Sequence, residues 1–242
     1  MKLLRRNRGR ASGATREVAL EWTRTLWKDK LWRGTTWLGV PILQWPTDLH
    51  ILQELLFEAR PKVIVETGTN AGGSALFFAS MLGLIHDDPT AGRVVTVDIR
   101  IPDDVRKTLS DHPVARGRIT AIEGDSKSTE TMARVEEAIG DERDLFVFLD
   151  SDHSRDHVLA ELRAYEKLVP PNGWLIAFDT ICRDLHDLPG APSEWKDDNP
   201  LAAVDRFLEE NRDFERTREP EKLGVTFGPG GFLRRRSGGS ER

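Results

Sequence analysis

Residues 63–74, VIVETGTNAGGS, constrain the fold more than any other stretch. A β-branched run leads into an acid, Glu66. A glycine turn begins at Gly68, and small residues over 71–80 start a helix. Strand, tight turn and helix in this order open a doubly wound α/β sheet. Ligands of such sheets sit outside the carboxyl ends of the strands, which puts Glu66 through Ser74 beside a ligand. Glycine there lets the backbone approach closely and turn where a Cβ would clash.

The spacing separates this turn from the familiar phosphate loops. A dinucleotide fingerprint needs a second glycine where Asn70 stands, and no Gly-Lys-Ser/Thr follows for a P-loop. An acid two residues before Gly68 repels a pyrophosphate. It suits a cationic ligand, such as the ammonium and sulfonium of S-adenosylmethionine. Glu66, Gly68, Asn70, Gly72 and Ser74 are therefore candidate cofactor residues. The alternative is a turn kept only for helix–strand packing.

From 242 residues we expect one domain with additions. At 38% hydrophobic and 31% charged, the chain can bury a core and stay soluble. A net charge of −5 argues against a general grip on nucleic acid. Basic clusters at 2–10 and 234–236 read as solvated tails. The single Cys182 rules out an internal disulfide and fits a reducing cytoplasm. No apolar run reaches the length of a membrane span, and none follows the basic start as a signal peptide requires.

Residues 1–13 read as disordered. Val18, Trp22, Leu26 and Leu31 then predict an amphipathic helix over 15–32. Trp22, Trp27, Trp32, Trp37 and Trp45 read as an arm that covers the main domain or a partner subunit, which predicts a homo-oligomer. Trp37 or Trp45 lining a substrate pocket is the alternative. Residues 39–46 read as a loop, and Thr47-Asp48 as the cap of a helix to about residue 58.

Strand and helix then alternate, with strands expected at 93–98, 119–123, 144–150 and 174–179. Asp98 ends the first of these, where an acid bonds ribose hydroxyls, and is a second candidate ligand residue; a helix cap is the alternative. Asp125 and Ser126 follow the next, placed to read an adenine. Asp150 and Asp179 end the last two. Two facing carboxylates repel unless a cation lies between them, and oxygen ligands favour Mg²⁺ or a similar ion. Thr180 or Asp152 would complete that shell. His153 is the candidate general base, against a histidine at a helix start facing water. His157 and His186 read as surface residues. The polar stretch 182–200 suggests a lid, with Trp195 closing on a substrate. A helix over 201–211 and strands at 213–218 and 224–235 finish the chain, the last with a turn at Gly228-Pro229-Gly230.

Together, the Glu66–Ser74 turn, Asp98, the turn at 123–125, the stretch 148–153 and Asp179 resemble class I S-adenosylmethionine-dependent O-methyltransferases. Residues 44–48 (QWPTD), 65–74 and 230–235 (GGFLRR) narrow the resemblance to the cephalosporin hydroxylase / rhamnosyl O-methyltransferase family, over about residues 33–236. The resemblance implies a Rossmann-like methyltransferase sheet with a helical N-terminal arm and an antiparallel C-terminal strand. Its domain would span 46–236, after an arm at 1–45 and before a flexible tail at 237–242. It also implies a hydroxylated acceptor, a sugar or natural product, with Mg²⁺ or a similar divalent ion. Glu66, Gly68 and Ser74 match the methionine end of the cofactor site, Asp98 the ribose acid, and Asp125 with Ser126 the adenine turn. Asp150 and Asp179 match metal ligands. His153 falls where catechol-type relatives carry a lysine base. The chain departs at Phe178, where close relatives tend to have an acid, and at Thr180, where catechol-type enzymes have an amide. Two rival readings are an iron hydroxylase built on His153, His157 and Asp150, and a non-catalytic cofactor-binding subunit docked through its tryptophan arm.

Overall fold

A computed structural model describes residues 11–88, 91–115 and 117–238. The expected disordered start lies outside these up to residue 10, as does most of the expected tail. Helix α1, Gly13–Asp29, begins two residues before the expected start, because Ser12 Oγ accepts the Thr15 N–H at 3.1 Å. It ends at Lys30 in the left-handed region, which moves Trp32 into a separate short turn, Leu31–Gly34. The expected loop at 39–46 is partly a hairpin, β1 (Thr36–Trp37) and β2 (Val40–Pro41). Helix α2, Pro46–Ala59, is capped at Trp45 with proline in its first turn. Asp48 does not cap it. Its carboxylate is buried and accepts the Phe227 N–H at 2.9 Å.

The doubly wound unit follows as β3 (Val63–Thr67), α3 (Gly73–His86), β4 (Arg93–Asp98), α4 (Asp103–Asp111), β5 (Ile119–Glu123), α5 (Thr129–Ile139), β6 (Leu145–Leu149), α6 (Arg155–Tyr165) and β7 (Trp174–Ala177). The expected 182–200 lid is in part helical, α7 (Cys182–Leu185), with a short turn at Ser193–Lys196. Then come α8 (Pro200–Glu210), β8 (Phe214–Arg216) and β9 (Phe232–Arg235). The seven-stranded sheet runs β5-β4-β3-β6-β7-β9-β8, with β9 antiparallel to both neighbours. The expected strand at 225–227 is absent. Phe227 is buried against Trp45, with ring centroids 4.7 Å apart, so its backbone turns toward α2 instead of the sheet.

Strand composition explains the layers. Ile64, Phe146, Phe148, Ile176 and Phe232 face one core with α2, α3 and the hairpin. Val63, Val65, Val147, Leu149 and Leu175 face the other, with α5, α6 and α8. Parallel strands buried on both faces read as unbroken apolar runs, as 145–149 does. The chain order reverses between β3 and β6, and ligands of such sheets sit outside the strand ends at that point.

Candidate active site

Glu66 sits at a register position opposite Thr96 and Phe148. Its side chain lies fully buried beneath the glycine turn rather than on a cavity wall. Thr96 Oγ1 donates to Glu66 Oε2 at 2.7 Å, while Oε1 has no partner. Burial pushes its pKa from 4.5 to about 7, against the lowering effect of the Ser74 and Thr96 hydroxyls.

The turn above it allows no side chain at Gly68. A Cβ there would lie 1.9 Å from the Asp150 carbonyl, and φ is +89°. Gly72 serves packing instead: its Cβ would meet Leu109 at 2.8 Å, and it does not border the cavities. Asn70 donates its N–H to Asp98 Oδ2 at 2.9 Å, and Arg100 N–H reaches Oδ1 at 3.1 Å. The turn and the acid of β4 therefore hold each other.

Outside the strand ends lies a cavity of about 410 Å³. Gly68, Asn70, Asp98, Asp125, Ser126 and Asp150 border it, so six of the nine expected cofactor residues meet there. Asp125 is held below the usual carboxylate range chiefly by its bond from Lys127 Nζ, at 2.8 Å. His157 belongs here too, not at the surface. Its Nε2 lies 3.2 Å from both Ser126 Oγ and Ser151 Oγ, and 3.4 Å from buried Glu161. Spacing gave a hint of this, since His157 and Glu161 share a helix face at i, i+4. Val97 and Ile99 add apolar walls.

A second cavity, about 170 Å³, shares Gly68, Asn70, Asp150 and Ser151 with the first. Ser74, His153 and Asp179 line it with Trp27, Trp32 and Gln44. The tryptophans on the wall are thus Trp27 and Trp32, whereas Trp45 is buried at 2% exposure and Trp37 packs on Phe77. Trp27 stacks on Trp32 at 5.3 Å and meets Trp195 edge-on at 5.7 Å. Two ion-paired hydrogen bonds of 2.7 Å from Arg24 to Asp187 tie α1 to the segment after α7.

His153 Nε2 lies 3.0 Å from Asp179 Oδ2. Burial pulls the imidazole pKa down, but the charge and hydrogen bond of Asp179 outweigh it and leave it well above 6.5. Asp150 is held well above the usual range, first by burial and then by Asp179. Gln44 Nε2 donates to Asp150 Oδ2 at 2.6 Å, and the buried Gln44 Oε1 is unpartnered. Thr180 does not join this group. It is fully buried, and its hydroxyl donates to the Pro229 carbonyl at 2.9 Å. Asp152 is bound to the Ser154 N–H at 2.8 Å and exposed. The iron triad fails for a similar reason, because His153 turns to Asp179 and His157 to Glu161.

Comparison with known proteins matches residues 29–236 to the model of the family described as rhamnosyl O-methyltransferase/CmcI. The chain belongs to that family. It is accordingly an S-adenosylmethionine-dependent O-methyltransferase. A rhamnosyl O-methyltransferase of Mycobacterium bovis (strain BCG / Pasteur 1173P2) is 31% identical over 219 residues, 88% of this chain and 79% of the relative. Its counterpart in Mycobacterium leprae (strain TN) is 29% identical over 220 residues, 89% of this chain and 85% of the relative. Among solved structures, CmcI with Mg and S-adenosylmethionine aligns with a TM-score of 0.57 at 20% identity, covering 84% of this chain and 77% of that one. The fold is shared with an O-methyltransferase from Bacillus cereus solved with S-adenosylhomocysteine, at a TM-score of 0.53 and 18% identity over 85% of this chain and 83% of that one. Among the described residues no helix is long and apolar enough to cross a membrane.

Proposed function

We propose that the chain methylates a hydroxyl of a ring-shaped small molecule, a sugar or a natural product, with S-adenosylmethionine as donor. The observation that carries this reading is the junction of the two cavities at Gly68 and Asp150, with His153 on the smaller side. The larger cavity suits the nucleoside: Asp98 toward the ribose, Asp125 and Ser126 toward the adenine. Gly68, Asn70 and Ser74 reach the junction, where the methionine end would lie over the unpartnered Glu66 Oε1. Bound there, the cofactor supplies an electrophilic methyl group on its sulfonium.

The smaller cavity takes the acceptor. Trp27 and Trp32 wall it with aromatic surface that would pack against a ring and exclude water. In its neutral form, which the raised pKa shifts toward alkaline pH, His153 takes the hydroxyl proton on the ring nitrogen that Asp179 does not hold. Asp179 fixes the ring and stabilises the imidazolium that forms. Holding the oxygen in line with the methyl supplies much of the rate. Self-association draws support from the exposed Leu38, Phe57 and Leu84, and a cytoplasmic setting from the reduced Cys182.

Calorimetric titration with S-adenosylmethionine tests the cofactor half. Binding should weaken at least about tenfold in Asp98→Ala, as expected for a lost charge-assisted hydrogen bond. Methyl incorporation from labelled cofactor into a panel of hydroxylated glycosides tests the acceptor half. A wild-type protein that binds no cofactor would refute the proposal.

A further inference from the structure

We propose that this chain works without a tightly held divalent ion, because its own side chains occupy the place of the metal shell. The inference rests on the methyl-transfer reading. It starts from the two rim carboxylates, Asp150 and Asp179. A hard ion such as Mg²⁺ takes near-octahedral oxygen ligands, one or two of them carboxylates free to bind it and the rest largely waters or substrate oxygens. Here each carboxylate already accepts an internal donor. Gln44 Nε2 holds Asp150 Oδ2 at 2.6 Å, and His153 Nε2 holds Asp179 Oδ2 at 3.0 Å.

No third carboxylate flanks Asp179 in sequence; the remaining free protein oxygen beside Asp150 is the neutral, unpartnered Gln44 Oε1. The residue before Asp179 is Phe178, 2% exposed, with its ring 5.1 Å from Phe148 and against Gly228. Thr180, on the other side, is spent on the Pro229 carbonyl. Among the described residues, the group of three potential ligands close enough for an ion is His153, Asp179 and Cys182, within 4.8 Å of one another. It contains one carboxylate and a thiol, a donor set that Mg²⁺ does not select. The arrangement therefore balances its charges internally. Gln44 is a positioning residue for Asp150, Asp179 is paired with the proposed base His153, and Phe178 packs in the core against Phe148.

The test uses the full-length protein, stripped with EDTA and desalted. Mn²⁺, as a spin-active stand-in for Mg²⁺, is titrated in and free ion is read by electron paramagnetic resonance. S-adenosylmethionine binding is measured in parallel by calorimetry. The expected result is cofactor binding that EDTA leaves unchanged and no Mn²⁺ binding tighter than millimolar. Phe178→Glu, which adds a carboxylate at the residue before Asp179, should then bind Mn²⁺ at least about tenfold tighter, since ligand charge count sets such affinities. Should that variant fail to fold, the wild-type titration decides alone. Micromolar Mn²⁺ binding by the wild type, lost in Asp150→Asn and Asp179→Asn, would overturn the proposal. So would a near-ultraviolet thiolate-to-metal band on adding Co²⁺, lost in Cys182→Ser, because it reports a softer ion at the histidine–thiol group. Failure to bind cofactor under every condition would sink the methyl-transfer reading itself, a distinct outcome.

Discussion

Replacing Glu66 by glutamine should stabilise the cofactor-free protein at alkaline pH while weakening cofactor binding. An acid whose pKa rises on folding favours the native state fully only below its unfolded value, and loses that contribution as pH passes its folded value. For Glu66 the window runs from 4.5 to about 7. At about 1.36 kcal/mol for each pH unit, ionising it inside the fold costs about 3 kcal/mol at pH 8 and less than about 1 kcal/mol at pH 5. Glutamine keeps the shape and removes the charge. In a chain of this size, the pH 8 difference corresponds to a Tm rise of about 6–12 °C over wild type, with little change at pH 5. Burial also raises Asp48 and Asp150, but they are common to both proteins and cancel in the difference. Calorimetry adds an independent readout. A cationic ligand above Glu66 draws it toward the carboxylate, so binding at pH 7 should release a proton. That release appears as a dependence of the binding heat on buffer ionisation, and it should vanish in Glu66→Gln. Equal stabilisation at pH 5 and pH 8, or an unchanged proton release, would refute the argument.

The remaining expectations concern the turn, the base and the aromatic wall. Gly68→Ala drives a Cβ into the Asp150 carbonyl at 1.9 Å; cofactor binding should be lost and the melting temperature lowered, as calorimetry and thermal denaturation would report. His153→Gln should cut kcat by roughly 10²–10⁴-fold while leaving the cofactor Kd unchanged, the size usual for a positioned acid–base group; an unaltered kcat would remove His153 from the chemistry. Trp27→Ala should raise the acceptor KM about tenfold through lost ring contact, with kcat less affected; steady-state kinetics at saturating cofactor separates the two.

Much of the rim was legible because parallel strands and their terminal acids are local signals. The apolar run 145–149 and the acid at Asp150 specify strand and position without reference to the rest of the chain. Asp98, Asp125 and Ser126 could be placed for the same reason, since each follows a strand directly. What escaped the sequence depends on packing between distant segments. Phe227 reads as strand by composition, yet the buried Asp48 claims its N–H from 179 positions away. Thr180 sits beside Asp179 in sequence, but Asp179 lies at φ +52°, and the chain turns Thr180 toward Pro229. His157 looked like a surface residue because its partners, Ser126 and Ser151, follow two different strands.

The arm at 1–45 is therefore hard to regard as an accessory to a catalytic domain at 46–236. Gly73, the first residue of α3, has Pro41 of β2 so near that a Cβ would lie 2.2 Å from its carbonyl oxygen. That contact sets the hairpin directly against the cofactor turn. From the same segment come Gln44, which holds Asp150, and Trp27 with Trp32, which wall the smaller cavity. Cutting the chain before residue 46 would leave Asp150 without its amide donor and open the acceptor side to water. Of the tryptophans that composition marks as a covering layer, Trp27 and Trp32 wall the cavity proposed here to take the acceptor. Sequence differences among relatives within this segment should accordingly change the acceptor before they change the donor.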